Sequence, residues 1–442
     1  MADPRVLYVV HNHPAVRPGG AEAYALELYR GMKELGDFDP LLLARSGPPL
    51  SKIKQPHPGT VFAAAGSDPG QSFVYTDLTQ IDWLFGGYPD KSLYNCHLRE
   101  FLQAHQPSVV HFQHVYLLGY ETIRLTRRVL PRAPILFTLH EFLPICHHYG
   151  HLLRTGNREL CLEASPVRCH QCFPDISPRQ FFLRKQYIQK HFDEVDLFLA
   201  PSRFLIERFV DWGLPRHKIR FEEYGRRDLG ASGAETPNRP RNRFAFFGQL
   251  TPFKGADVLL RAMVELAEMQ QAGGGDAETD AVRDLRLWLY GANMDLQPLP
   301  FRAELQTLLE RCGDRVTYVD GYRPEDLAAL MQEVDWVVVP SIWWENSPLV
   351  IQEAFAFGRP VICSDVGGMA EKVSHERSGL HFRVGSASSL AATMVRAATT
   401  PGLWEELRQG IPPLYRLETS VRVLGDIYKR LIADRAAASA AV

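Results

Sequence analysis

Short apolar runs alternate with helical patterns along the whole chain, and this alternation is typical of parallel sheets with crossover helices. The series is interrupted at residues 230–242, GASGAETPNRPRN, which are rich in small, polar and proline residues, as domain linkers are. The pattern therefore predicts an α/β protein with two doubly wound, Rossmann-like domains, residues 1–229 and 243–412. The predicted strands are Val6–Val10, Pro40–Ala44, Val109–Phe112, Ile135–Leu139, Leu197–Ala200 and Ile219–Glu222, then Phe244–Phe247, Leu285–Tyr290, Val316–Val319, Trp336–Val339 and Val361–Ser364.

Several stretches depart from this pattern. Residues 46–95 combine many Pro and Gly residues with aromatic residues and show little periodicity, so they are predicted to be an insertion of loops; residues 142–180 are predicted to be a second insertion. Residues 271–280, QAGGGDAETD, predict a surface loop. The alanine-rich end, residues 432–442, is predicted to be frayed.

Two glutamates, Glu345 and Glu353, lie eight positions apart across a predicted loop-to-helix junction near Pro348. Backbone N–H groups at that helix start, together with the helix dipole, favour an anion such as a diphosphate. Two acceptor side chains would then flank the phosphates, as a nucleotide sugar requires. The alternative is an amphipathic core helix with two solvated glutamates. The predicted donor-binding residues between the two glutamates are Asn346, Ser347, Pro348, Leu349 and Val350.

The run from Asp335 to Gly368, DWVVVPSIWWENSPLVIQEAFAFGRPVICSDVGG, resembles the donor-binding core of family 4 retaining glycosyltransferases, whose fold is called GT-B. Residues 243–255, RFAFFGQLTPFKG, look like the family's phosphate loop, and residues 9–22, VVHNHPAVRPGGAE, look like its N-terminal strand and glycine loop. The resemblance covers nearly the full chain. It implies two domains facing across a cleft that holds the active site, with residues 1–229 on the acceptor side and residues 243–412 binding the nucleotide sugar. It also implies a C-terminal helix, residues 413–434, that crosses back to the first domain.

The resemblance implies roles for four residues of the second domain. Glu345 would hold the donor sugar hydroxyls, Glu353 the ribose, and Lys254 a phosphate oxygen. Independently of the resemblance, the lysine lies at a predicted helix start after glycines that allow a tight turn, although a surface lysine is the alternative. Gln249 stands where the family usually has arginine, and it can donate a hydrogen bond to the diphosphate without bringing a charge. Either Arg226 or Arg227 could supply that charge; both could instead be solvated.

In the first domain, His140 follows a predicted strand where the family has a histidine that contacts the donor sugar, and Glu141 replaces the family's aspartate. Gly19 and Gly20 would let the backbone approach the donor, or form an ordinary turn. His114 ends another strand, and it could line the cleft or be structural. We count His140 with Lys254 and Glu345 as candidate catalytic residues.

The implied reaction is transfer of a sugar, with retention at the anomeric carbon, from a UDP- or GDP-linked donor to a hydroxyl of a saccharide or lipid-linked saccharide, in cell-surface polysaccharide or glycolipid synthesis. The donor's own phosphate would take the acceptor proton, so no catalytic metal is expected. The alternative is a catalytically weak homologue that binds a nucleotide sugar and serves as a scaffold. The departures at Gln249 and Glu141 are its support.

Composition and charge limit the classes of partner that the chain is expected to bind. The 442-residue chain has a formal net charge of −2, which gives no support to a nucleic-acid partner. No apolar stretch approaches the ~18 residues that cross a bilayer, and no signal segment opens the chain, so a cytoplasmic location is expected. Residues 179–190, RQFFLRKQYIQK, combine basic and bulky apolar residues without an acid. They predict either a peripheral helix on anionic lipid or an ordinary helix that packs Phe181, Phe182 and Ile188 inward.

Four of the seven cysteines fall within 27 residues and end in a C-x2-C pair. Tetrahedral zinc accepts such ligands, so a structural zinc is possible; reduced thiols are the main rival, and a disulfide is disfavoured in the cytosol. The candidate ligands are Cys146, Cys161, Cys169 and Cys172.

Overall fold

A computed structural model of the chain describes residues 3–17, 19–48, 61–77, 81–88, 91–230, 239–272 and 284–440. The chain divides into two compact units. The first unit comprises residues 1–227 together with 415–442, and the second comprises residues 228–414. Each unit is built on its own sheet with helices between the strands, so the predicted α/β class with two doubly wound domains is confirmed.

The sheet of the first unit has eight strands in the order β3-β4-β2-β1-β5-β6-β7-β8. All neighbours are parallel except β3 and β4, which are antiparallel. The central strands are continuous apolar runs because helices cover both faces of such a sheet. The strands are β1 (Arg5–Val10), β2 (Asp39–Ser46), β3 (Phe62–Ala64), β4 (Gln71–Tyr75), β5 (Val109–Phe112), β6 (Ile135–Thr138), β7 (Leu197–Ala200) and β8 (Ile219–Phe221).

Three helices of the first unit begin with a serine N-cap whose hydroxyl accepts a backbone N–H. In the fifth helix, for example, the N-cap Ser177 forms a capping box with Gln180, and Pro178 lies between them at the first helical position. A π-helix, Leu93–Leu98, precedes the second α-helix. The α-helices are α1 (Gly20–Leu35), α2 (Arg99–His105), α3 (Glu121–Val129), α4 (Pro166–Cys172), α5 (Pro178–Phe192) and α6 (Arg203–Trp212).

The C-terminal helix belongs to the first unit, as the resemblance implied. It packs on α1, where Gly31 is needed because a Cβ there would lie 2.7 Å from a methyl group of Val421. Its Tyr428 hydroxyl lies 2.7 Å from Nδ1 of the fully buried His111. The helix is Leu417–Ala440, so the expected frayed end at residues 432–440 is instead helical.

The sheet of the second unit has six parallel strands in the order β11-β10-β9-β12-β13-β14. Its strands are β9 (Arg243–Gln249), β10 (Arg286–Ala292), β11 (Val316–Asp320), β12 (Trp336–Val339), β13 (Val361–Ser364) and β14 (Gly379–Phe382). Its α-helices are α7 (Ala256–Ala272), α8 (Leu299–Cys312), α9 (Leu327–Glu333), α10 (Leu349–Ala356), α11 (Gly367–Lys372), α12 (Ala387–Thr399) and α13 (Leu403–Gln409), and the C-terminal helix Leu417–Ala440 is α14.

The predicted loop insertion at residues 46–95 is partly wrong, because β3 and β4 lie within it and extend the first sheet. Residues 142–180, which the structure describes throughout, hold turns, one isolated bridge between Leu153 and Leu160, α4 and the start of α5. They add no strand to that sheet. Most of the predicted surface loop at 271–280, and residues 231–238 of the predicted linker, lie outside the described residues.

Candidate active site

The second sheet has a topological switch point between β9 and β12. The chain leaves β9 toward β10 on one side and leaves β12 toward β13 on the other. Ligands of open α/β sheets bind at the carboxyl ends of strands at such a point. Lys254 follows β9 and Glu345 follows β12, so the fold brings the two predicted residues to the same crevice.

Lys254 and Glu345 form an ion pair in that crevice. The Lys254 ammonium lies 2.5 Å from Oε1 of Glu345. The same oxygen accepts hydrogen bonds from the Ser341 hydroxyl at 2.8 Å and from the Trp343 indole N–H at 2.9 Å. Glu345 is only 6% exposed, whereas about a third of the lysine side chain reaches solvent. Three donors on one oxygen fix the carboxylate, since hydrogen bonds to an ionised group are stronger than neutral ones.

Two glycines hold the loop that carries Glu345. Gly255 has φ of 74°, and a Cβ there would lie 1.9 Å from the carbonyl oxygen of Pro340. A Cβ on Gly368 would lie 1.6 Å from the carbonyl oxygen of Asn346, and the Gly368 N–H donates to the Glu345 carbonyl at 2.7 Å. Backbone therefore lies directly on backbone at both positions, and only glycine fits.

The predicted loop-to-helix junction is confirmed. Helix α10 begins at Leu349 with Pro348 as its N-cap, and Glu353 lies on its second turn. The first N–H groups of an α-helix have no acceptor within the helix, so this terminus can bind an anion. Ser347, like its neighbour Asn346, is buried, while Leu349 and Val350 are half-buried. Contact of these residues with a donor stays a prediction.

Gln249 is the last residue of β9 and is exposed at the carboxyl edge of the sheet. Arg226 and Arg227 are the two residues that could supply the charge of the family's arginine. Arg227 forms ion pairs with other residues. Its guanidinium lies 2.6 Å from Glu27 and 2.8 Å from Glu34, both on α1 of the first unit. As the side chains lie, Arg227 therefore does not compensate for Gln249.

In the first unit, His140 follows β6 and both of its ring nitrogens have partners. Nδ1 lies 2.6 Å from the Tyr224 hydroxyl, and Nε2 lies 3.0 Å from Oε1 of Gln113. Burial lowers the pKa of His140 well below its usual range, so the ring is neutral at physiological pH. These partners fix its orientation; contact with a donor sugar stays a prediction.

The predicted glycine loop has a structural role that the sequence analysis missed. A Cβ on Gly19 would lie 2.4 Å from a carboxylate oxygen of Glu22, so glycine makes room for that side chain. Gly20 begins α1. Glu22 in turn lies 3.1 Å from Nε2 of His11, which follows β1. Donor binding by Gly19 and Gly20 is untested.

A second histidine–carboxylate pair stands beside the first. Nε2 of His114 lies 3.1 Å from Glu141, and its Nδ1 accepts the N–H of Tyr116 at 2.9 Å. The rings of His11 and His114 are 4.4 Å apart. Burial lowers the pKa of His11, whereas for Glu22 burial is outweighed by His11, which holds the pKa of that carboxyl at about 2. The sequence signal was present as polar residues directly after two apolar runs, HNH at 11–13 and QH at 113–114.

The four clustered cysteines are free thiols. Burial raises the pKa of Cys146 to about 11 and that of Cys169 to about 12, so both are protonated at neutral pH. The Cys161 sulfur donates to the carbonyl of Glu163 at 3.2 Å. Within the described parts of the chain, no group of three or more His, Cys, Asp or Glu side chains is placed to hold a metal ion. The Cys169 thiol lies within electrostatic range of the thiols of Cys146, Cys161 and Cys172. Zinc binding by these four cysteines stays a prediction, which metal analysis of the purified protein would test.

Helix α5 contains the segment predicted to meet lipid. Arg184, one of its four basic residues, is buried and donates to the carbonyls of Leu84, Leu143 and Pro144. This arginine therefore holds loops together and cannot face a membrane. Phe182, which the alternative interpretation packs inward, is 51% exposed. None of the helices in the described ranges is both long and apolar enough to cross a bilayer.

Comparison with known proteins agrees with this geometry. Residues 241–400 match the family model described as glycosyl transferases group 1, and residues 18–221 match the model described as glycosyltransferase family 4. The fold and the matched segments define a glycosyltransferase of the GT-B class. The chain belongs to glycosyltransferase family 4.

Curated relatives share part of the sequence. A D-inositol 3-phosphate glycosyltransferase of Corynebacterium efficiens is 33% identical over 136 residues, which are 31% of this chain and 30% of that protein. Another, of Nocardia farcinica, is 35% identical over 159 residues, 35% of this chain and 33% of that protein. The chain thus matches about a third of the length of these relatives.

Solved structures match the fold over nearly the whole chain. A glycosyltransferase of Rickettsia africae has a TM-score of 0.66 at 16% identity, covering 98% of this chain and 99% of that chain. Anabaena HepE, solved in complex with UDP and glucose, has a TM-score of 0.62 at 14% identity, covering 97% and 100%. At such identities the likeness shows the fold alone.

Proposed function

We propose that this protein is a retaining glycosyltransferase that moves a sugar from a UDP- or GDP-linked donor to a hydroxyl of a saccharide or lipid-linked saccharide acceptor, in cell-surface polysaccharide or glycolipid synthesis. The observation that carries the proposal is the Lys254–Glu345 pair at the switch point of the second sheet, beside the start of α10. The solved relative that binds UDP and glucose supports a nucleotide-sugar donor.

The donor diphosphate would lie between Lys254 and the first N–H groups of α10. A lysine ammonium is a compact charge on a flexible stem, so it can serve a phosphate oxygen and Glu345 together. Gln249 would add a neutral hydrogen bond at the edge of the same crevice. Glu353, on the second turn of α10, would accept from the ribose hydroxyls.

In the reaction, the bond between the anomeric carbon and the diphosphate oxygen breaks, and the acceptor oxygen bonds to the same face of that carbon. The departing phosphate oxygen takes the acceptor's proton, so the protein supplies no nucleophile. Its contribution is to stabilise the charge that develops on the diphosphate, and one such prepositioned donor is worth roughly 10²–10³ in rate. Lys254 and the helix start fill this role.

Thermal shift with UDP, GDP and ADP, followed by release of free nucleoside diphosphate from the matching sugar donors, tests the proposal. We expect one nucleotide to stabilise the protein and its sugar donor to be turned over. Lys254→Ala should lose both effects. Lys429→Ala is the control, because it removes a lysine that binds Asp37 in the first unit.

Turnover by Lys254→Ala at the wild-type rate would overturn the proposed site. Nucleotide binding without release of diphosphate, with or without an acceptor, would favour the scaffold alternative. Absence of any nucleotide effect would reject both.

A further inference from the structure

The proposed reaction does not use a cavity that lies within the first unit. The cavity has a volume of about 160 Å³ and lies between the turn at residues 82–87 and the segments that follow β5 and β6. Apolar side chains form most of its walls, and an apolar cavity of about 150 Å³ in another protein binds benzene. This cavity therefore has the volume for a single ring. Six of the residues that line it are aromatic: Trp83, Phe85, Tyr116, Tyr120, Tyr149 and Phe173.

Hydrogen bonds hold the walls of the cavity in place. The buried Arg184 donates to the carbonyls of Leu84 at 2.9 Å and Pro144 at 2.8 Å. It thereby joins the turn at 82–87 to the segment that follows β6. Within the turn, the Asp82 carboxylate accepts the N–H of Leu84 at 2.9 Å. The cavity is therefore formed before a ligand arrives, as small-molecule sites usually are.

Two residues that line the cavity have a left-handed backbone conformation. Leu117 has φ of 61° and Tyr149 has φ of 49°. This region is costly for a bulky residue, and residues held in it are concentrated at ligand-binding and catalytic sites. The Leu117 carbonyl accepts from the hydroxyls of Tyr88 at 2.9 Å and Thr76 at 3.1 Å, which helps to hold that conformation. The fold thus maintains an unfavourable backbone at the wall of this cavity.

One hydroxyl in the lining lacks a protein partner. Tyr120 is 6% exposed, and its hydroxyl makes no hydrogen bond with any residue that the structure describes. Buried tyrosine hydroxyls usually have a partner. The oxygen is not among the fully enclosed polar atoms of the described residues, so a ligand in the cavity can reach it.

The charges around the cavity favour a neutral ligand. The Arg184 guanidinium already donates to three carbonyl oxygens, and Glu141 lies within its electrostatic range. Burial lowers the pKa of His147, which also lines the cavity, to about 4, so its ring is neutral at physiological pH. A charged ligand would lose its hydration among apolar side chains and would meet no counter-ion that is not already engaged.

We propose that this cavity binds one neutral aromatic ring that carries a hydroxyl group, with the ring among the aromatic side chains and the hydroxyl paired with Tyr120. Aromatic rings prefer offset or edge-to-face contacts, which a lining with six aromatic residues provides. Trp83 is 51% exposed and its ring lies 6.5 Å from that of Tyr116, so it stands where the cavity meets solvent. The proposal does not depend on the transferase function.

Saturation-transfer NMR titrations of the full chain with phenol, toluene and benzoate test the proposal. We expect phenol and toluene to bind and benzoate not to bind. Tyr120→Phe should weaken phenol binding about fivefold, the loss expected for one neutral hydrogen bond, and should leave toluene binding unchanged. A general disturbance of the cavity would instead weaken the binding of both probes.

Tyr29→Phe is the matched control. Tyr29 is also a buried tyrosine of the first unit, and its hydroxyl donates to Asp68 at 2.8 Å, away from the cavity. Its variant should bind both probes as the wild type does. Val115→Phe adds a ring at a buried wall position and should abolish binding of both probes. All variants should keep the thermal shift with nucleotide, because Lys254 and Glu345 belong to the other unit.

Equal binding of phenol by the wild type and Val115→Phe would overturn the site, because the probe would then bind elsewhere. Unchanged phenol binding by Tyr120→Phe, or an equal loss of phenol and toluene, would overturn the contact with the hydroxyl. If Val115→Phe does not fold, the wild-type titrations decide. Benzoate bound as tightly as phenol, or no binding of phenol, contradicts a cavity for a neutral aromatic ring.

Discussion

The two units place polar side chains at the same topological position and give them opposite chemistry. At the switch point of the second sheet, a cation pairs with a carboxylate beside the start of a helix, an arrangement suited to an anion. At the switch point of the first sheet, a crevice between β1 and β5, the carboxylates of the two histidine–carboxylate pairs disfavour an anion. The position follows from the fold, whereas the ligand class follows from the residues placed there.

The glycines beside the two crevices differ in what an added methyl group would meet. In the second unit, glycine backbone lies against loop backbone, so an added methyl group must move the loop itself. In the first unit, Gly19 faces the end of a flexible glutamate side chain. An added methyl group is therefore expected to disturb the crevice of the second unit more than that of the first.

A matched pair of glycine substitutions should separate the units most strongly. In Gly368→Ala, a Cβ 1.6 Å from the Asn346 carbonyl must displace the loop that carries Glu345. Displacement by about 1 Å can cost about a hundredfold in turnover, so we expect at least that loss, with loss of the nucleotide thermal shift. Gly19→Ala meets only a side-chain oxygen that can turn away, and nucleotide binding should persist. Equal effects of the two variants would contradict this expected difference.

Substitutions of Glu345 and Glu353 should change different kinetic constants. Glu345→Gln weakens the charged hydrogen bonds to Lys254, Ser341 and Trp343, so it should lower kcat by about tenfold to a hundredfold. Glu353→Gln should mainly raise the donor KM, because ribose contacts are similar in ground and transition states. Steady-state kinetics with varied donor measures both. A fall in kcat for Glu353→Gln alone would reverse the assigned roles.

The sequence placed Lys254 and Glu345 at one site, and the structure brings them together, because the signals are local. Donor binding there stays a prediction. The central strands are unbroken apolar runs, and Lys254 and Glu345 each lie a few residues after one of them. By contrast, β3 and β4 were missed because they are short strands in a segment rich in Pro and Gly, and they form by pairing at the sheet edge. Strand β14, GLHF, was missed as well, because it is equally short and contains glycine and histidine.

The first-unit crevice could not be predicted in the same way. His11 and His114 are about a hundred positions apart, and only the pairing of β1 with β5 brings them together. Nor does a sequence show which buried atoms lack partners. The interpretation of Gly19 failed for a similar reason, since its neighbour Glu22 turns back onto it to reach His11.

Acid should unfold the first unit before the second. His111 is buried with its pKa lowered to about 3, so its neutral form is favoured in the folded state. Between this value and the ordinary 6.5 the unfolded chain binds more protons, so stability is full above pH 6.5 and is lost as pH falls toward 3. From pH 7 to pH 5, His111 alone should cost about 2 kcal/mol. Burial also lowers the pKa of His11, His13, His105, His140, His147 and His191 in the first unit, and of His381 in the second.

Limited proteolysis at the two pH values, with cleavage sites identified by mass spectrometry, measures this difference. Cuts within residues 1–227 should increase at pH 5 more than cuts within 228–414. His111→Gln should reduce the pH dependence, and His381→Gln serves as the control in the other unit. Parallel loss of protection in both units would show that the buried histidines do not set the acid sensitivity.

The smallest expected effect concerns the outer face of α5, where Phe182 and Leu183 are exposed together with Lys190. If this face meets anionic lipid, the protein should sediment with vesicles that contain phosphatidylglycerol and be released by high salt, because surface attraction is screened. A basic residue near such a surface contributes about 1 kcal/mol, so Lys190→Gln should weaken binding about fivefold. Arg430→Gln, which removes an exposed charge on α14, should not. Arg184 is unsuitable for this test because its loss would disturb the loops it holds. Equal sedimentation with neutral and anionic vesicles would leave α5 an ordinary helix of the first unit.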